Sequence, residues 1–149
     1  QHKEGVYRRI SGGMTRLAGL TRFLCHCDAA ALQTVVVTNA PRVDAFHTLE
    51  VLGLTDRFAA SVTIGMECSA AKPSPEPYLE GLRKLGDGAG MRAAECVAFE
   101  DSPGGITAAV AAGIFTIGVT TGWSEEQLKE FGCGLAIRDF DDERLWRLL

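Results

Sequence analysis

Cys96-Val97-Ala98-Phe99-Glu100-Asp101-Ser102-Pro103-Gly104-Gly105-Ile106 decides how this chain is read. A short apolar run ends in two adjacent carboxylates. A Gly-rich turn and an Ala-rich stretch follow, through Ala112 to Gly113. The order is strand, acidic loop, helix N-terminus. In open α/β sheets, ligands bind at the carboxyl ends of strands. Paired acids there suit a hard cation such as Mg²⁺, which takes one or two carboxylates together with phosphate oxygens and water. The same residues also read as an Asp-Ser cap with a Pro in the first helical turn. By itself the stretch leaves the metal site and the plain cap level.

Working outward, Thr34-Val35-Val36-Val37-Thr38 is a continuous β-branched run. Parallel strands buried on both faces look like this. It leads through Asn39-Ala40-Pro41-Arg42 into a helical pattern from Val43 to Leu52, stopped by Gly53. Thr38 and Asn39 thus lie at a strand's carboxyl end. A hydroxyl and the following amides can hold a phosphate there, or simply satisfy a local turn. Phe58 to Ile64 reads as a further short strand. Lys72-Pro73-Ser74-Pro75-Glu76-Pro77-Tyr78 carries three alternating prolines, so a helix begins only near Tyr78 and runs to Leu85. Lys72 is then a long cation on a stiff loop, either solvated or placed to neutralise phosphate and carboxylates.

Before these elements, Met14 to Cys27 has apolar residues at helical spacing, at Met14, Leu17, Leu20, Leu24 and Cys25. After the acidic loop, Ile114 to Val119 is another buried-strand run. Ser124-Glu125-Glu126 caps a helix with acids in its first turn. Leu135 to Ile137 forms a last strand and Glu143 to Leu149 a closing helix. Helix and strand alternate throughout, which predicts a mostly parallel sheet with helices on both faces. Thr38, Lys72 and the Glu100/Asp101 pair then gather on one sheet edge, and that ordered set tips the opening stretch toward metal.

The 149 residues suggest one domain. With 46% hydrophobic and 23% charged residues the composition is that of an ordinary globular chain. A net charge of −4 argues against a nucleic-acid surface. No apolar run reaches the ~20 residues that span a bilayer. Five cysteines, odd in number and irregularly spaced, argue against a disulfide framework and for a reducing, cytoplasmic setting. Cys25-His26-Cys27 lacks the second ligand pair of a zinc site and reads as a helix end.

These residues resemble the haloacid dehalogenase superfamily of phosphotransferases, in its β-phosphoglucomutase-like branch. Val35-Val36-Val37-Thr38-Asn39 is similar to the second motif, whose hydroxyl and following amide bind the transferring phosphoryl group. Lys72-Pro73-Ser74-Pro75-Glu76-Pro77-Tyr78-Leu79 is similar to the third, whose lysine neutralises charge around the nucleophile. Phe99-Glu100-Asp101-Ser102-Pro103-Gly104-Gly105-Ile106 is similar to the fourth, whose acids hold Mg²⁺. Val119-Thr120-Thr121-Gly122 matches the loop after the last main strand. Val37-Thr38-Asn39-Ala40-Pro41-Arg42, Gly65-Met66-Glu67-Cys68 and Leu145-Trp146 resemble the plant broad-range sugar-phosphate phosphatases of this branch.

The resemblance implies a three-layer Rossmann-like core over residues 13–149, preceded at 1–12 by the end of a cap or linker. It implies a Mg²⁺-dependent phosphatase acting on a small sugar phosphate, monomeric, with no nucleic-acid or membrane partner. Phosphate binding falls to Thr38, Asn39 and Lys72, and metal binding to Glu100 and Asp101. A phosphomutase and a non-catalytic binding module are the alternatives. The family's first motif is an Asp-x-Asp followed by Gly, and no such motif precedes Thr38. Asp139-Phe140-Asp141 has the spacing but follows the fourth motif and lacks the Gly. The chain is therefore expected to be truncated, to lack the nucleophile and to be inactive alone. The family's first strand lies between those ending at Thr38 and Phe99, so a gap or altered pairing is expected there.

Overall fold

The computed structural model describes residues 13–149; the cap or linker expected at 1–12 lies outside the described residues. After the β-branched run, β1 (Val36–Thr38) stops at Asn39. Pro41 then precedes α2 (Arg42–Val51), which follows α1 (Leu20–Ala29) in the chain. Gly53, at φ 67°, takes the left-handed conformation that ends α2. A single turn, α3 (Thr55–Phe58), leads to β2 (Val62–Ile64). The proline segment delays the next helix, α4 (Glu76–Lys84). β3 (Val97–Glu100), α5 (Pro103–Ala111) and β4 (Phe115–Val119) follow. α6 (Glu125–Glu130), β5 (Leu135–Ile137) and α7 (Glu143–Trp146) complete the chain.

All strand pairs are parallel, but they form two sheets. β1 pairs with β2, and β4 lies between β3 and β5. The division falls between β1 and β3, where the gap was expected.

Alternation along each strand builds two apolar layers. Val36, Val62, Ile64, Phe99, Ile117, Val119 and Ile137 face the layer of α1, α2 and α7, with Phe23, Leu49 and Leu145. Val37 and Ala98 face the opposite layer, against Tyr78 of α4 and the small face Ala108, Ala109 and Ala112 of α5. Ala136 packs there too, with Ile106 of α5 and Leu128 of α6. Phe23, Phe99 and Phe140 meet with ring centroids 5.0–5.2 Å apart, in the tilted and edge-on geometries that favour aromatic pairs.

Two local expectations are corrected. The first helix starts at Leu20, not Met14, because Gly19 sits at φ 77° with its Cα face against the backbone of Phe140. That phase buries Phe23, Leu24 and Cys27 and leaves Met14, Leu17 and Cys25 exposed. Phe58 belongs to α3, so the strand begins only at Val62. Cys25-His26-Cys27 is indeed helical, and among the described residues no three His, Cys, Asp or Glu side chains are grouped to hold a metal. Among the described residues, no helix is long and apolar enough to cross a membrane.

Candidate active site

The loops after β1 and β3, with the loop before α4, meet at the carboxyl ends of the strands. Thr38 closes β1, and its Oγ1 accepts the Ala40 amide at 3.0 Å. That bond fixes the hydroxyl and leaves its proton free to be donated outward. The Asn39 side chain ties two loops together. Its Nδ2 donates to the Lys72 carbonyl and its Oδ1 accepts the Lys72 amide, both at 3.1 Å. Asn39 therefore acts on the Lys72 backbone. Gly65 makes room for it, since a Cβ there would lie 2.2 Å from Asn39 Oδ1.

Lys72 is not a solvated lysine. The Lys72-Pro73 peptide is cis, and the side chain is only 10% exposed. Its Nζ donates to the Val37 carbonyl at 2.8 Å and to Glu100 Oε1. It thus joins the end of β1 to the end of β3. Glu100 is 8% exposed. The same Oε1 accepts the Tyr78 hydroxyl at 2.5 Å, and the Lys72 ammonium lies 5.1 Å from the centre of the Tyr78 ring. Burial first, and then the Glu100 charge, push the Tyr78 phenol up, so it stays a neutral donor. Glu100 Oε2 packs on Gly105, where a Cβ would lie 2.0 Å away.

Asp101 differs from its neighbour. It is exposed, and the helix cap is made by Ser102, whose Oγ accepts the Gly105 amide at 3.2 Å. The cap and the acids are therefore separate devices, and the level readings of the opening stretch resolve residue by residue. Two hard oxygen donors fit a Mg²⁺ ion. Asp101 is open to solvent, whereas Glu100 has Oε1 committed to Lys72 and Tyr78.

The structure thus brings Thr38, Asn39, Lys72 and Glu100 to one edge, with Asp101 beside them. Sequence reasoning passed over Tyr78. The signal was available: a tyrosine at the start of an amphipathic helix, six residues beyond the candidate lysine, buries its ring and needs a partner for its hydroxyl.

The parallel strands carry an acid pair, a hydroxyl and a lysine at their carboxyl ends, the edge where ligands of open α/β folds bind. The chain belongs to the haloacid dehalogenase-like hydrolase family, whose pattern matches residues 11–113. Glycerol-1-phosphate phosphohydrolase 2 of Saccharomyces cerevisiae is 39% identical over 113 residues, covering 74% of this chain and 44% of its own. Hexitol phosphatase A of Escherichia coli is 30% identical over 120 residues, covering 79% of this chain and 52% of its own. The chain spans about half the length of these two curated relatives. A crystal structure of a haloacid dehalogenase hydrolase from Entamoeba histolytica superposes with a TM-score of 0.85 at 24% identity. That match covers 94% of this chain and 63% of the other, and shows the same fold.

Proposed function

We propose that the protein carrying this chain is a Mg²⁺-dependent phosphatase of small sugar phosphates that forms an aspartyl-phosphate. Its nucleophilic aspartate belongs to a segment outside these 149 residues. The observation that carries this reading is Lys72 Nζ, held between the Val37 carbonyl and Glu100 where β1 and β3 end. A fixed, half-neutralised cation at that point suits phosphoryl transfer, where positioning and charge stabilisation supply most of the catalysis. In this reading the Thr38 hydroxyl donates to a phosphoryl oxygen, and Asn39 keeps the Lys72 loop in register with it. Asp101, with the remaining oxygen of Glu100, would hold Mg²⁺, which supplies positive charge to the phosphoryl oxygens. The names of the yeast and bacterial relatives support phosphate-monoester substrates.

Phosphate monoesters hydrolyse so slowly unaided that up to ~10²¹-fold acceleration is needed. Residual catalysis after loss of a nucleophile is ~10³–10⁴ in a protease. The 149-residue chain alone should therefore show no useful turnover. Phosphate release is assayed colorimetrically with Mg²⁺ on this chain and on the full-length protein. Release by the full-length protein only is expected. Robust release by the chain alone defeats the assignment of the nucleophile, and no release by either defeats the phosphatase reading.

A further inference from the structure

Tyr78, the third residue of α4, is 7% exposed and packs its ring with Ala98, Ala108 and Ala109. A phenylalanine would fill the same space. The hydroxyl is the added feature, and a buried hydroxyl needs a partner. That partner is Glu100 Oε1, 2.5 Å away. Lys72 already balances the Glu100 charge, so charge pairing does not call for the phenol.

What the phenol adds is direction. A single donor leaves a glutamate carboxylate free to turn about its last torsion, which is broad and two-fold. Here two donors reach the same oxygen from different elements, Lys72 from the loop before α4 and Tyr78 from α4 itself. The ammonium is in turn tied to the Val37 carbonyl and lies 5.1 Å from the centre of the Tyr78 ring. Strand end, loop and helix therefore hold one another. With Oε1 engaged twice, Oε2 is turned against Gly105, where a Cβ would lie 2.0 Å away. Oε2 takes no hydrogen bond from the described residues. It is the oxygen left for a cation beside Asp101.

We propose that Tyr78 is a positioning residue for the metal: its hydroxyl fixes which Glu100 oxygen faces Lys72 and which is presented, with Asp101, to a divalent cation. Tyr78 touches neither cation nor substrate and acts through Glu100. The proposal rests on the Mg²⁺-dependent phosphatase reading of this edge and adds a residue beyond its two acids. Partners that orient a metal's ligands change its affinity by about 10–100-fold when they are removed, without touching the metal.

The test reads metal affinity, not turnover, on the full-length protein that contains this chain. Mn²⁺, a paramagnetic stand-in for Mg²⁺, is titrated and its free fraction is read by electron paramagnetic resonance. Tyr78→Phe should weaken Mn²⁺ binding about tenfold or more. A purely structural tyrosine would lower Tm and leave the affinity of the folded protein unchanged, and that result overturns the proposal. In a Glu100→Gln background the same substitution should cost little further affinity; an undiminished loss there overturns the route through Glu100. If Tyr78→Phe does not fold, the wild-type protein carries the test. With isotope-labelled tyrosine rings, Mg²⁺ should shift the nuclear magnetic resonance signal of Tyr78, because the cation draws charge from the carboxylate that accepts its hydroxyl. A Tyr78 signal unmoved at saturating Mg²⁺ overturns the proposal. Wild-type protein that binds neither cation overturns the Mg²⁺ reading and this proposal together, whereas wild-type binding that Tyr78→Phe leaves unaltered overturns the proposal alone.

Discussion

Replacing Lys72 by Met should destabilise the chain far more than loss of an ordinary lysine. The two side chains of the Lys72–Glu100 pair are 10% and 8% exposed. Removing the cation leaves Glu100 buried with the Tyr78 hydroxyl as its remaining hydrogen-bond partner, and it frees the Val37 carbonyl. Breaking a buried pair from one side costs about 3–5 kcal/mol, because the remaining charge is uncompensated. At roughly 2–4 °C per kcal/mol for a chain of this size, Tm should fall by about 6–20 °C. The double variant K72M/E100Q removes the stranded charge and should recover part of that loss, giving a coupling energy of about 1–3 kcal/mol. Urea unfolding followed by fluorescence is a suitable assay, since Trp146 packs against Phe23 in the core. A loss below about 1 kcal/mol, the value of an exposed pair, or strict additivity in the cycle would refute the buried-pair reasoning.

Three further outcomes are expected. Tyr78→Phe deletes the 2.5 Å bond to Glu100 without changing the ring, and should cost about 1.5–3 kcal/mol in denaturant titration, as hydrogen bonds to charged groups do; a change under about 0.5 kcal/mol would contradict it. Gly105→Ala should destabilise, although Gly-to-Ala in a helix interior ordinarily gains up to ~1 kcal/mol. The new methyl would meet Glu100 Oε2, which Lys72 and Tyr78 prevent from moving, so a raised Tm would refute the placement. Asp142 caps α7 and bonds Arg144, and the Arg144 hydrogen bond holds its carboxyl below the ordinary 3.8. A folded-state value below the unfolded one contributes stability above the unfolded value, lost as pH falls through the folded one. Asp142→Asn keeps a capping side chain, so its deficit, about 0.5–1 kcal/mol at most, should be constant well above the ordinary 3.8 and shrink as pH falls below it; a deficit growing with acid would reverse the sign.

Much of this architecture was legible because its signals are local. The β-branched run before Thr38 and the apolar run before Glu100 are buried strands whose neighbours are set by parallel topology. Ser124 and Gln127 form the capping box that their spacing announces. What was not legible depends on contacts distant in sequence. Lys72 was legible as a candidate cation of the site, but its burial and its bonds to the Val37 carbonyl and Glu100 exist only once β1 and β3 bring those groups to its Nζ. The phase of α1 was obscured because Gly19, read as one more helical residue, packs on Phe140 across the fold and resets the helix start. Phe58 is apolar and β-prone, yet α3 packs against α2 and takes it into the core as a helical residue.

Strand alternation explains why two adjacent acids serve different ends. Successive residues at the end of β3 face opposite ways. Glu100 follows Ala98 toward Tyr78 and Gly105, where its charge is balanced by Lys72, while Asp101 emerges exposed. Lys72, Glu100 and Asp101 together leave one negative charge at the edge where Thr38 offers its proton. A phosphate dianion arriving there meets a lysine half-neutralised by Glu100 and an unpaired carboxylate that repels it. In the phosphatase reading the repulsion is relieved only by a divalent cation at Asp101, which reverses the local field. The buried Lys72–Glu100–Tyr78 unit thus fixes the geometry of the edge and leaves Asp101 as the one acid of the pair whose charge is unbalanced.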